Sequence, residues 1–245
     1  MSGHPLSHPA LSRVSPYRTA DAPEQARPAT AEAQRAQSLL PRSVLQGCRE
    51  VLQRISDQEP RSYGVTSSLR GEGRSTVAVG MALVQWLDYE RRTVLVDLDL
   101  EHPTLHERFG VSDGTGLADL ADGHFAMEDY LQRIAGDVWL LSAGRLREDA
   151  PRTLARLAQG TVLPQLGEWA DALVFDLPPL LGSPTGLEAA RLCATPVMVV
   201  RAGLTPLPIV KRATDSLPVA PPVVLNGVRS ALPAWIRRAT GDWKT

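Results

Sequence analysis

Ser62-Tyr63-Gly64-Val65-Thr66-Ser67, followed by Ser68-Leu69-Arg70-Gly71-Glu72-Gly73-Arg74-Ser75-Thr76, sets the architecture of this chain. The first six residues read as a strand, the next run as a glycine-rich turn, and residues 75–87 as a helix. Strand, glycine turn and helix in that order make the setting that a phosphate-binding loop needs. Gly71 and Gly73 let the backbone curl tightly and turn its N–H groups toward an anion. A helix starting near Arg74 adds the positive end of its dipole. Ser75 falls where its hydroxyl would ligate Mg²⁺. Two residues depart from the usual loop: Arg74 stands in place of the lysine, and Ser68 in place of the opening glycine. An ammonium is a compact charge on a flexible stem, whereas a guanidinium is wide and planar, so phosphate charge is met differently.

The same alternation runs through the rest of the chain. Short apolar runs at 93–98, 138–142, 172–176, 196–200 and 223–225 read as strands. Helical patterns fill 116–120, 127–134, 152–157, 162–169, 185–192 and 207–216. Upstream, Val44, Leu45, Cys48, Val51, Leu52 and Ile55 recur at three- and four-residue spacing, the mark of an amphipathic helix. Strand and helix in repeated alternation imply crossover units. The expected fold class is therefore α/β, with a doubly wound, mostly parallel sheet. The strands are almost wholly apolar, as burial on both faces requires.

Three acids end such strands. Thr93-Val94-Leu95-Val96-Asp97-Leu98-Asp99 places two carboxylates at the C-terminal end of a buried strand, where open α/β sheets bind ligands. A spacing of two puts both on one face of an extended segment. They suit a Mg²⁺ ion with its waters, and one suits proton transfer from an attacking hydroxyl. Ala172-Leu173-Val174-Phe175-Asp176 supplies the third acid, before the stiffening pair Pro178-Pro179. Asn226 ends a late strand and offers donor and acceptor to a purine edge, although Asn-Gly is also ordinary turn chemistry.

Composition bounds the rest. At 245 residues, 43% hydrophobic and 22% charged, the chain is not wholly disordered and has room for one large domain. We expect that domain over 42–230. A mobile tail is expected over 1–41, where Pro5, Pro9, Pro16, Pro23 and Pro28 interrupt any helix, and a second tail over 231–245. The 26 basic and 27 acidic residues leave a net charge of −1, which argues against broad capture of nucleic acid. Cys48 and Cys193 make no disulfide framework and fit a reducing compartment as small buried residues. No apolar run approaches the ~20 residues that span a bilayer, and Met1-Ser2-Gly3-His4-Pro5 opens without a signal core, so a cytoplasmic protein is expected. His102 and His106 are four apart but lack a third zinc ligand, so packing or surface roles suit them better. Trp235 and Trp243, near Arg237, Arg238 and Lys244, fit an edge-packed helix better than a membrane contact.

Seven stretches in order resemble the bacterial tyrosine kinases (BY-kinases) of the capsule and exopolysaccharide type, within the MinD/ParA-like class of deviant P-loop ATPases. They are residues 65–76, 96–106 and 114–120, then Leu141-Ser142-Ala143-Gly144, Phe175-Asp176-Leu177-Pro178-Pro179, Val199-Val200-Arg201-Ala202-Gly203 and Val224-Leu225-Asn226-Gly227-Val228. The resemblance implies that Gly71, Glu72, Gly73, Arg74, Ser75 and Thr76 wrap the phosphates of ATP. It implies that Asp97 and Asp99 form the acidic second motif, with Asp97 as general base or metal organiser. Asp176 would be the acid of the third motif, so that Ser75, Asp97 and Asp176 hold Mg²⁺. Asn226 would contact adenine, and Arg201 matches a family position without a role that its chemistry alone assigns. A membrane-bound polysaccharide chain-length regulator is the implied partner, with homo-oligomers of the chain itself and recruitment to the inner face of the membrane.

The chain departs from that family in places. Residues 229–245 contain no tyrosine cluster; the tyrosines are Tyr17, Tyr63, Tyr89 and Tyr130. Ser43-Val44-Leu45-Gln46 before Arg49 replaces the acidic start of the family's oligomerisation helix, and Glu101-His102 stand where basic residues are usual. Two functions follow. One is transfer of the terminal phosphoryl of ATP to tyrosine or water, with Arg74, Asp97, Asp99 and Asp176 as the catalytic set. The other is a regulatory or scaffold subunit with weak or no catalysis, which Arg74 and the missing tyrosines favour. A MinD/ParA-like positioning ATPase ranks third, because Leu69 occupies the place of that group's extra lysine.

Overall fold

A computed structural model describes residues 30–55, 61–121, 126–145 and 149–228. Its centre is β1 (Ser62–Ser67), buried along its whole length. Beside it run β5 (Ala172–Asp176) and β6 (Thr195–Arg201), both parallel to it. Beyond β5 lie β2 (Thr93–Asp97), β4 (Val138–Leu141) and the edge strand β3 (Leu131–Ala135); beyond β6 lies β7 (Val223–Asn226). Among the described residues the order is β3-β4-β2-β5-β1-β6-β7, parallel throughout except for the β3–β4 pair. This is the expected doubly wound sheet.

Alternate side chains of the strands enter two separate cores, as a period of two demands. Leu95, Val174, Val197 and Val199 pack with α2 (Arg42–Arg54) and α3 (Arg74–Tyr89). Val94, Val96, Phe175 and Met198 pack on the opposite face with α6 (Ala150–Gln159) and α7 (Val162–Trp169), together with Leu117 of α5 (Leu117–Ala121), Ala189 of α8 (Gly186–Ala190) and Ala213 of α9 (Leu207–Asp215). Apolar runs without alternation were the sequence's record of these two buried faces. Both cysteines are free, and burial pushes each thiol up to about 12.

Three local expectations change. The helix expected over 127–134 is a short 3₁₀ turn, Met127–Tyr130, followed by β3. A hairpin competes with the helix and prevails: β3 pairs antiparallel with β4 across Gly136-Asp137, with Leu131 opposite Leu141. Gly136 has φ +53, and a Cβ there would lie 2.0 Å from the Trp86 ring, so only glycine turns this corner. Second, the mobile tail expected over 1–41 is folded in its final part. α1 (Thr30–Ser38) buries Ala36, the following turn buries Leu40, and Glu32 pairs with Arg133 at 3.1 Å. No proline falls between Pro28 and Pro41, so nothing interrupts a helix over Thr30–Ser38. Third, a short α4 (Leu105–Phe109) follows β2 where no element was predicted, anchored by fully buried Leu105. The rest of the first tail, the tail over 231–245, and the Trp235–Trp243 segment lie outside the described residues.

Candidate phosphate and metal site

The chain leaves β1 into the glycine turn and enters α3 at Arg74. Gly71 and Gly73 take φ of +81 and +100, the left-handed conformations that their lack of a Cβ permits. At Gly73 a Cβ would also stand 2.2 Å from Asn226 Nδ2. Gly73 caps α3 with no side-chain bond to its first turn, so the leading N–H groups of this 16-residue helix point outward without helical partners. That is an anion-binding geometry.

Glu72, expected among the phosphate-wrapping residues, has its carboxylate turned inward at 2% exposure. Oε2 accepts the Leu69 N–H at 2.8 Å, while Oε1 accepts the Arg201 N–H at 3.2 Å and the Thr205 hydroxyl. Asn226 Nδ2 donates to the Glu72 carbonyl at 2.8 Å, and Arg201 Nη1 donates to the Gly71 carbonyl at 3.2 Å. The turn is thus tied to the ends of β6 and β7. Spacing within the loop gives no sign of Thr205 or of these ties; the seven-stretch pattern flagged Arg201 without a role.

The three acids meet at the C-terminal edge of adjacent strands. Asp97 and Asp176 are register partners on β2 and β5, and Asp176 is also the register partner of Val65 on β1. Asp97 Oδ2 accepts the N–H groups of Thr104 and Leu105, each at 3.1 Å, at the start of α4. Asp176 hydrogen-bonds the Ser75 hydroxyl. Asp99 Oδ2 receives two guanidinium groups, Arg74 Nη2 at 3.1 Å and Arg70 Nη1 at 3.2 Å. Arg74 also donates to the Leu177 carbonyl at 2.7 Å, so its head group lies across the strand ends. Thr76 sits on the rim, its hydroxyl accepting from Arg108 at 3.2 Å. Arg70 and Arg108 also reach this cluster, and residue spacing did not single them out.

Each of the three acids keeps one oxygen without a protein partner: Oδ1 of Asp97, of Asp99 and of Asp176, all buried, joined by Ser68 Oγ. Buried acceptors in that state are costly, and a hard cation with its waters relieves them. These oxygens fit Mg²⁺. Mg²⁺ characteristically takes one or two carboxylates, waters and phosphate oxygens; among the described residues no group of three or more His, Cys, Asp or Glu side chains is placed to hold a metal ion by itself. Burial first, then the charge of Asp176, pushes the Asp97 carboxyl up to about 8. Burial likewise raises Asp176, to about 6, against the opposing effects of the Ser75 bond and the Arg74 charge.

No family model matches the chain. In sequence it is 25% identical over 177 residues to the tyrosine-protein kinase YwqD of Bacillus subtilis (strain 168), covering 70% of this chain and 73% of that one. It is 25% identical over 179 residues to the putative tyrosine-protein kinase CapB of Staphylococcus aureus, covering 73% of this chain and 78% of that one. Among solved structures, the VpsO kinase domain superposes with a TM-score of 0.67 at 24% identity, over 81% of this chain and 98% of that domain. The septum site-determining protein MinD of Pyrococcus horikoshii, complexed with Mg-ADP, gives 0.57 at 20% identity, over 73% of this chain and 76% of that protein. In sequence the chain is similar to bacterial tyrosine-protein kinases, and its sheet has the fold found both in the VpsO kinase domain and in MinD.

Proposed function

We propose that this chain binds ATP with Mg²⁺ and transfers the terminal phosphoryl group to a tyrosine hydroxyl or to water, in the service of exopolysaccharide or capsule production. One observation carries the reading: three strand-end acids, each with a buried carboxylate oxygen that has no partner, stand beside a glycine turn that opens a 16-residue helix. The turn and the α3 N-terminus hold the phosphates, with Arg74 turning from Asp99 toward them while it keeps its bond to the Leu177 carbonyl. Ser75 and Asp176 orient the metal, which when bound offsets the charge that develops on the transferred group. Asp97 takes the proton of the attacking hydroxyl; its raised proton affinity suits that task. The new bond joins the acceptor oxygen to the terminal phosphorus, the bond to the bridging oxygen breaks, and the diphosphate departs. Asn226, already beside the turn, contacts the adenine.

Among the described residues no tyrosine is placed to accept the phosphoryl group within the same chain. Tyr63 and Tyr130 are buried, and Tyr89 ends α3, about 24 Å of helix away from the turn. The partner in this reading is a membrane-bound chain-length regulator at the cytoplasmic face. Among the described residues no helix is long and apolar enough to cross a membrane.

Calorimetric titration of Mg-ATP, followed by assays of phosphate release and of phosphotyrosine on an added tyrosine copolymer, tests the proposal. Binding with turnover is expected, lost in Asp176→Asn and raised in Arg74→Lys. Binding without turnover in both the native chain and Arg74→Lys would make it a regulatory subunit, and absence of binding would overturn the reading.

A further inference from the structure

Two arginines, not one, stand at the phosphate turn, and their bonding differs. Arg74 is 8% exposed and anchored twice, on Asp99 and on a backbone carbonyl. The Arg70 side chain is 38% exposed, and its two recorded partners are both carboxylates: Asp99 Oδ2 at 3.2 Å and Glu101 Oε2 at 3.7 Å. The same Glu101 oxygen is fixed by the Ser183 hydroxyl at 3.0 Å. Arg70 immediately precedes Gly71, so its side chain rises from the lip of the turn.

We propose that Arg70 is a second polyphosphate-binding arginine, kept on Asp99 and Glu101 until a metal–polyphosphate complex arrives. The inference rests on the nucleotide reading above. Asp99 Oδ2 now shares two guanidinium groups, while its Oδ1 is buried without a partner. A divalent cation among these carboxylates takes up the negative charge that holds the arginines and repels them. Arg74 retains its carbonyl anchor; Arg70 has only charge pairs to lose and a solvent-facing path. A planar guanidinium on the lip of an N–H-lined turn meets phosphate oxygens two at a time. The exchange replaces one set of ion pairs with another, so its net gain grows with the number of phosphates. Arg70 therefore acts as a selector for triphosphate over monophosphate.

The test is calorimetric titration of the full chain with Mg-ATP and with AMP, on the native protein and on Arg70→Gln, Arg70→Lys and Glu101→Gln. Arg70→Gln should weaken Mg-ATP binding by about tenfold or more while AMP changes less than about twofold. Arg70→Lys should recover part of the loss. Glu101→Gln removes a competing carboxylate and should tighten Mg-ATP binding severalfold, an effect that a purely structural ion pair would not produce. Native binding with unchanged affinity in Arg70→Gln, or weaker Mg-ATP binding in Glu101→Gln with an unaltered melting midpoint, overturns this proposal alone. No nucleotide binding by the native chain overturns both it and the nucleotide reading.

Discussion

At the scale of single residues, the site stores protons. Asp97 and Asp176 are buried, face one another across β2 and β5, and hold their protons to higher pH than the unfolded chain does. A carboxyl with a raised folded-state value binds a proton in the native state that the unfolded state has already released. Stability of the nucleotide-free protein therefore falls as pH rises, from about 4, where free carboxyls ionise, through the raised values of the pair. We expect the melting midpoint to drop between pH 5 and 8, and Asp97→Asn to flatten that drop, because an amide mimics the neutral acid and still accepts from Thr104 and Leu105. Melting curves across that range check it; a midpoint that rises with pH contradicts the assignment. Mg²⁺ with nucleotide should restore stability most at the upper end, where it competes with fewer protons.

At the scale of elements, helix packing governs the sign of a substitution that propensity alone would misjudge. Gly80 lies inside α3, where Ala is usually better by about 1 kcal/mol. Here a Cβ would stand 2.7 Å from Cys48 Sγ on α2 and 3.4 Å from Leu40 after α1. Gly80→Ala should therefore destabilise the fold by about 1–3 kcal/mol, the usual cost of overpacking. Adding Cys48→Ala should recover most of that loss. Urea unfolding of the two single variants and the double variant measures the coupling. Additive losses would show that α2 does not press on α3 at this point. The tight approach explains why α1 and the Leu40 turn belong to the fold: they pack against the same helix.

At the scale of the molecule, the phosphate turn is secured from across the sheet. Glu72 links residues far apart in sequence, Leu69 on the turn with Arg201 at the end of β6 and Thr205 after it, while Asn226 at the end of β7 holds the Glu72 carbonyl. Glu72→Ala leaves the Leu69 and Arg201 N–H groups and the Thr205 hydroxyl without their carboxylate acceptor, at a cost of about 3 kcal/mol for a buried charged acceptor. The loss should appear in denaturant unfolding, together with weaker Mg-ATP binding. A change below about 0.5 kcal/mol would mean that water replaces the carboxylate and the tie carries no weight. Because the tie crosses the sheet, its strength is a property of the strand order, not of the loop.

The parallel sheet, the glycine turn and the three strand-end acids were legible before any coordinates, because each depends on local chemistry. Runs of apolar residues record two buried faces, glycine records positive φ, and a carboxylate after a buried strand records the ligand edge. The hairpin at Gly136-Asp137 carried a short-range signal too, but the helical spacing of 127–134 masked it until β4 was available to pair. The inward turn of Glu72, the two guanidinium groups on Asp99, and the carbonyl of Leu177 that fixes Arg74 left no mark in residue order. Those contacts join residues from 25 to more than 100 positions apart, with the Leu69–Glu72 bond the local exception. Long-range contacts of that kind exist only once the crossover connections have set strands β2, β5, β1, β6 and β7 side by side.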